Sequence, residues 1–281
     1  MKKFSAIVAT AALVLSLTAC GGASDAGNTA NNASNTNAAV DNNTDANDTN
    51  VTDNTDNGTQ AADTDMEGVM TYAEYAAAAV DTEVTVITYV QDKQGWWEND
   101  GVGNATFYTQ DKDGAYFLYN MPCSQEDYDQ MVPGTKIKVT GFKSEWSGEV
   151  EIVDATYEIL GGDTYVATAA DVTDKISDND ALAAYMNQYV TFTGLTVAER
   201  EGAAFTYGWD GSKSQGDDIY FNLADAEGNV YTFVVESYLR GADTDTYKAV
   251  EAFNVGDTVD VTGFMYWYEG PQVHVTIATV K

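Results

Sequence analysis

A mainly β chain, built twice on one plan as two tandem five-stranded barrels each with a short helix, is predicted by three features. First, residues 136–142 (Lys-Ile-Lys-Val-Thr-Gly-Phe) return as residues 258–264 (Thr-Val-Asp-Val-Thr-Gly-Phe). In the first copy Ile137, Val139 and Gly141 share one face, and Lys136, Lys138, Thr140 and Phe142 share the other, the alternation of a half-buried strand. Second, the order strand, strand, strand, helix, strand, strand runs through both halves. Third, the halves stay in register with offsets that grow along the chain. Val84-Thr85-Val86 matches Val190-Thr191-Phe192, Phe107 and Gly114 match Phe221 and Gly228, and Gly134 matches Gly256. The offset grows between strands 1 and 2 and again near the helix, so the added residues fall in loops, where a duplicated domain tolerates them.

The elements follow in order. Met1-Lys2-Lys3 and the apolar run to Ala19 read as a signal peptide over 1–19, too short to be a membrane span. It ends in Leu17-Thr18-Ala19-Cys20, which reads as a lipobox with Cys20 as the lipidated residue; several acyl chains would hold the protein stably on a membrane. Residues 20–65, rich in Asn, Asp and Thr with no aromatic residue, are expected to be a disordered tether. The first domain is placed at 66–162 and the second at 163–281. Within the first, Thr71 and Glu74 make a capping box for a helix over 71–80, followed by a strand over 83–90. A Gly- and Trp-rich loop over 93–103 leads to a hairpin, 105–110 and 115–120, through Asp111-Lys112-Asp113-Gly114. A helix over 124–131, the strand of the repeat, a turn over 144–148 and a last strand over 149–158 complete it. The second half repeats this series, with its leading helix at 180–187. A helix between the third and fourth of five strands is the order of the OB-fold, a Greek-key barrel.

Charge sets expectations about partners. The leader carries two lysines and the tether eight Asp with no base, so of the net charge of −31 about −25 belongs to residues 66–281. An acidic chain repels polyanions, and nucleic acid is not expected as a partner. Lys136, Lys138 and Lys143 form a small basic strip, expected to neutralise Glu149 and Glu151 across the hairpin. Beyond Cys20 the one cysteine is Cys123, read as a small packed hydrophobe.

Chemistry is sparse. The single histidine, His274, is expected to be an exposed strand residue, and Arg200 and Arg240 sit in no phosphate-binding motif. With no Gly-x-Ser-x-Gly, no phosphate loop and no Cys/His set, neither an enzyme nor a cofactor is indicated. Asp210, Asp217 and Asp218 share one inserted loop and are a weak calcium candidate.

Aromatic residues are the stronger signal. Trp96, Trp97 and Trp209 lie between strands 1 and 2, while Trp146 and Trp267 lie between strands 4 and 5. OB-folds hold oligosaccharides and oligonucleotides with these loops and the face of strands 2 and 3. Tyr207, Tyr266 and Tyr268 join the second barrel's set, and Tyr108, Tyr116 and Tyr119 lie on strands of the first. Such planes stack on sugars, bases or apolar side chains. Equally, they can pack on one another and join the barrels. Three functions follow: a membrane-anchored module binding a neutral glycan or peptide, a structural or protein-interaction lipoprotein, or a single-strand nucleic-acid binder.

Through Asp92-Lys93-Gln94-Gly95-Trp96-Trp97 and residues 133–142, the chain from 66 to 281 resembles tandem OB-fold lipoproteins of Gram-positive gut bacteria. That group has no established activity, so the resemblance implies a fold and an extracytoplasmic, lipid-anchored location, and no chemistry.

Overall fold

The computed structural model describes residues 68–281; the signal peptide, Cys20 and the tether lie outside the described residues. The first half comprises α1 (Tyr72–Ala77), β1 (Glu83–Lys93), β2 (Trp97–Asn99), β3 (Val102–Gln110), β4 (Ala115–Pro122), α2 (Gln125–Gln130), β5 (Lys136–Trp146) and β6 (Glu149–Ile159). The second comprises β7 (Ala170–Asp171), a 3-10 turn, α3 (Asn179–Ala183), β8 (Tyr189–Ala198), β9 (Phe205–Tyr207), β10 (Ile219–Ala224), β11 (Val230–Val235), α4 (Asp245–Glu251), β12 (Thr258–Trp267) and β13 (Pro271–Val280).

Both sheets close. In the first, β1, β5, β6, β4 and β3 are neighbours in turn and β3 returns to β1; in the second, β8, β12, β13, β11 and β10 do the same through β8–β10. The strand before the helix pairs parallel with the last strand in each, β4 with β6 and β11 with β13, as the Greek-key path requires. The fold is mainly β and OB-like, with closed barrels that leave few free edges. Short strands β2 and β9 sit in the first loop of each barrel and pair with β3 and β10, so that loop is a hairpin in both copies.

Alternation fills the barrels. Ile137, Val139, Val84 and Val86 enter the first core with Phe107, Leu118 and Ile152; Val259, Val261, Val190 and Phe192 enter the second with Phe221, Phe233 and Val275. Gly134 and Gly256 hold the same left-handed backbone, φ +93° and +96°, at the turn into the repeated strand. A Cβ on Gly263 would collide with the His274 carbonyl, so β12 and β13 approach closely only through this glycine.

Local signals hold at the helix starts. The Thr71 hydroxyl accepts from the Glu74 amide, and the Glu74 carboxylate accepts from the Thr71 amide at 2.8 Å. Ser124 caps α2 through the Asp127 amide at 3.0 Å. The predicted helix over 180–187 is reduced to five residues and moved toward the chain start.

The lysine strip does something other than expected. Lys136 pairs with Asp163 at 2.8 Å. Lys143 turns inward, and its Nζ donates to the carbonyls of Tyr75, Ala76 and Ala78 at 3.0, 2.9 and 2.8 Å. These are the orphan carbonyls at the end of α1, so Lys143 closes a helix terminus and leaves Glu149 unpaired.

Glu149 is fully buried between the barrels. Its Oε2 accepts from the Trp267 amide at 2.8 Å, while Oε1 has no hydrogen-bond partner among the described residues. Burial pushes this carboxyl up to about 8, against the pull of the Trp267 amide and Asn187. A folded-state value above the ordinary 4.5 means that stability is full below pH 4.5 and declines as pH rises toward 8. The expected slope is on the order of 1 kcal/mol per pH unit. Glu149→Gln removes that slope: in urea unfolding from pH 5 to 8 the variant gains on the parent as pH rises, whereas parallel stability curves would show Glu149 to be charged in the fold.

Candidate functional site: an aromatic cleft where the barrels meet

Side chains on the outer face of β3 and β4 dock on β12 and β13. Tyr108 and Phe117 pack with Leu239 and Phe264, flanked by Tyr189 and Tyr266. The Tyr108 and Phe264 rings stack with centroids 4.5 Å apart, and Phe117 meets Tyr266 edge-on at 5.4 Å. Polar contacts frame this patch. The Tyr189 amide donates to Gln110 Oε1 at 2.9 Å, Asn187 Nδ2 to the Val150 carbonyl at 2.9 Å, and Gly95 N to the Tyr238 carbonyl at 2.9 Å. Arg240 forms a two-pronged ion pair with Asp92.

Beside this interface opens a cleft of about 1000 Å³ with walls from both barrels. The first barrel contributes Gln94, Gly95 and Trp97 from the loop after β1, Phe117, Tyr119 and Asn120 from β4, and Trp146 from the end of β5. The second contributes Trp209 and Tyr220, Glu236 and Tyr238, and Tyr266, Tyr268, Glu269, Gln272 and His274. Several rings stand open: Trp146 is 61 %, Trp209 60 % and Tyr238 72 % exposed.

Two of these rings are held in place by their neighbours. A two-residue turn, Ser147-Gly148, with both φ positive (51° and 95°), presents Trp146 at the hairpin end, and Trp267 lies against Gly148 where a Cβ would meet its ring at 2.6 Å. Arg200 places its guanidinium 4.8 Å from the Trp209 ring centre and donates to the Trp209 carbonyl at 2.6 Å. Trp209 then meets Tyr220 edge-on at 5.4 Å. Arg200 is a clamp for the tryptophan loop.

His274 overturns the expectation of an exposed strand histidine. The second barrel's last strand faces the first barrel here, so His274 is buried, its ring stacked on Tyr266 at 4.1 Å. Burial lowers it to about 3, and it is neutral at neutral pH. Gln94 Nε2 donates to the Tyr108 hydroxyl at 3.2 Å, and that hydroxyl shares a buried hydrogen bond of 2.6 Å with His274 Nδ1.

Of the residues singled out in the sequence, Trp97, Trp146, Trp209, Tyr266 and Tyr268 come together around this cleft. The others are placed elsewhere. Tyr108 is sealed in the interface, and Tyr116 points into the first core against Tyr75 at 4.9 Å, because alternation turns it inward. Trp96 packs on the same core and donates from Nε1 to the Cys123 carbonyl at 3.1 Å. Trp267 packs on the second core, and Tyr207 donates to Glu251 at 2.6 Å. Cys123 is a buried free cysteine whose thiol burial pushes up to about 11. Of the weak calcium candidate, Asp210 accepts from the Ser212 amide, Asp217 from the Ser214 amide, and Asp218 from Ser237. No group of three metal-binding side chains occurs among the described residues.

Glu236, Tyr238, Tyr220, Gln272 and His274 are among the cleft residues that sequence reasoning did not select as ligand contacts, whereas Tyr119, noted on a strand of the first barrel, does line the cleft. Burial pushes the Glu236 carboxyl up to about 7, Asp218 adds to this, and the Leu239 and Tyr238 amides oppose it.

No family model matches the chain, and no curated protein matches it in sequence. Among solved structures it is similar to a murine DNA-binding protein bound to double-stranded DNA, at 13 % identity over 70 % of this chain and 94 % of that one, with a TM-score of 0.33. It is similar to the Ifi202 HINa domain in complex with double-stranded DNA, at 13 % identity over 73 % and 97 %, TM-score 0.31. It is also similar to a replication protein A heterotrimer bound to single-stranded DNA, at 11 % identity over 73 % and 50 %, TM-score 0.31. At this level the likeness concerns the fold alone. Several of these structures are DNA complexes, against the expectation from charge that nucleic acid is no partner; net charge is summed over the chain and does not describe one groove.

The arrangement makes a spectroscopic prediction. Replacing Trp97, Trp146 and Trp209 together by Phe removes most of the acrylamide-quenchable emission and leaves the shielded emission of Trp96 and Trp267. Retention of the quenchable part in that variant would place the open rings elsewhere.

Proposed function

We propose that the chain is a binding module whose cleft grips a glycan, held to the outer face of a membrane through lipidated Cys20 and the tether. The observation that supports this reading is the set of open aromatic rings from both barrels around one cleft. Rings this exposed and this close together are a liability unless a ligand covers them. Flat rings suit the apolar faces of sugars, and Gln94, Asn120 and Gln272 offer amides to hydroxyl groups. The rings that join the barrels are largely a different set, so holding the barrels together does not account for Trp97, Trp146, Trp209, Tyr238 and Tyr268. The location rests on Leu17-Thr18-Ala19-Cys20 alone. No group here is arranged for covalent chemistry, and the reading is binding without catalysis.

Titration of tryptophan fluorescence with cell-wall glycan fragments tests it. Trp146→Ala and Trp209→Ala are each expected to weaken saturable binding about tenfold, the scale of one lost stacking contact. Peptides and oligo(dT) run beside the glycans. Binding by oligo(dT) alone, with an affinity that falls steeply with salt, would move the function to single-stranded nucleic acid, which some of the similar structures bind. No response to any of the three would leave the cleft without a ligand role.

A further inference from the structure

The cleft carries charge of one sign. Its ionisable acids are Glu236 and Glu269, and no lysine or arginine lines it. Neither glutamate takes part in an ion pair among the described residues. Glu236 is half-buried, and its Oε2 accepts from the Leu239 amide at 3.0 Å. The nearest cations are committed: Arg240 to Asp92 and to the Leu239 carbonyl at 2.8 Å, and Arg200 to the Trp209 loop. His274 cannot serve as counter-ion, because burial keeps it neutral.

A partly desolvated carboxylate without a countercharge costs free energy that an arriving cation recovers. Aromatic faces attract the same cation, most strongly where water is excluded. Tyr266, Tyr268 and Trp209 line the cleft with Glu236, so both attractions act in one place. The raised proton affinity of Glu236 is a second sign of the missing countercharge, since Asp218 adds repulsion to the cost of burial.

We propose that the inner wall of the cleft, at Glu236, is a site for an organic ammonium group, carried by the bound glycan as the free amine of an unacetylated amino sugar. The carrier part rests on the glycan reading above; the ammonium site does not.

Two pairs of probes, the first at pH 8 and the second at about pH 6.5, where a large share of the sugar amines carry their proton, test it by tryptophan fluorescence and calorimetry. The first pair is choline and its uncharged isostere 3,3-dimethyl-1-butanol. The second is the glucosamine tetramer and its N-acetylated form. In each pair the cation is expected to bind about tenfold more tightly, the scale of one desolvated cation–π contact. Glu236→Gln should bring the two members of each pair together, and Glu269→Gln should reduce the gap less. Should Glu236→Gln fail to fold, the comparison within each pair on the parent protein still decides. Equal affinity within both pairs, or an undiminished preference in a folded Glu236→Gln variant, overturns the ammonium site and leaves the glycan reading standing. Selection of choline with no saccharide binding keeps the ammonium site and removes its carrier and the glycan reading. Absence of binding by choline and by the glucosamine tetramer overturns the site outright.

Discussion

The docking of Tyr108 against Phe264 and His274 is the contact on which the rest depends. Tyr108 stacks on one and hydrogen-bonds the other, so a single side chain is fixed in both position and rotation. Burying rings such as Phe117 and Phe264 is worth about 1.5–3 kcal/mol each in transfer terms, enough to hold two barrels at one angle. A ring on one barrel and a ring on the other can then form one cleft. Without this fixed angle Trp146 and Trp209 would be separate surface residues.

The polar groups at the interface give the docking its direction. Apolar patches slide; hydrogen bonds such as Tyr189 N to Gln110 and Asn187 to Val150 do not, since leaving a buried donor unmade costs more than making it gains. Glu149 is the exception that reveals the cost. Its carboxyl is taken from water to anchor the Trp267 amide, and it remains protonated in the fold over most of the neutral range. The reward is positional, because Trp267 supports the turn that presents Trp146. Stability and cleft geometry therefore meet at one buried acid.

Legibility in the sequence divided along physical lines. What depends on neighbours close in the chain could be read: the alternation of Ile137 and Val139, the Thr71/Glu74 box, the turn glycines at 134 and 256, and the duplication itself. Trp97, Trp146, Trp209, Tyr266 and Tyr268 were legible as ligand candidates because loop position implies exposure. Tyr108 was not, since a residue on the outer face of a barrel reads as open until a second barrel covers it. His274 failed for the same reason, and Lys143 because its partners are carbonyls of a helix more than sixty residues away. Glu236 and Tyr238 follow β11 in a stretch with no pattern, and only three-dimensional placement assigns them to the cleft.

The two copies of the duplicated barrel present different patches to each other. A duplicated domain could have used the same patch on both copies, or one patch against another in a series without end. Here the patches differ: β3 and β4 of the first barrel meet β12 and β13 of the second. The cross-strand pair Tyr108–Phe117 supplies the first patch. At the matching place in the second barrel stands Asn222–Thr232, whose side chains hydrogen-bond each other at 3.0 Å. Phe264, buried at 2 % exposure, likewise matches Phe142, which is 42 % exposed. One Val-Thr-Gly-Phe strand end is an interface and the other is surface. At the cleft, matching positions keep a common use, for Trp146 and Tyr268 lie at the same offset past that strand and line the same wall. The copies differ where one packs on the other, and at this one cleft position each supplies an aromatic ring.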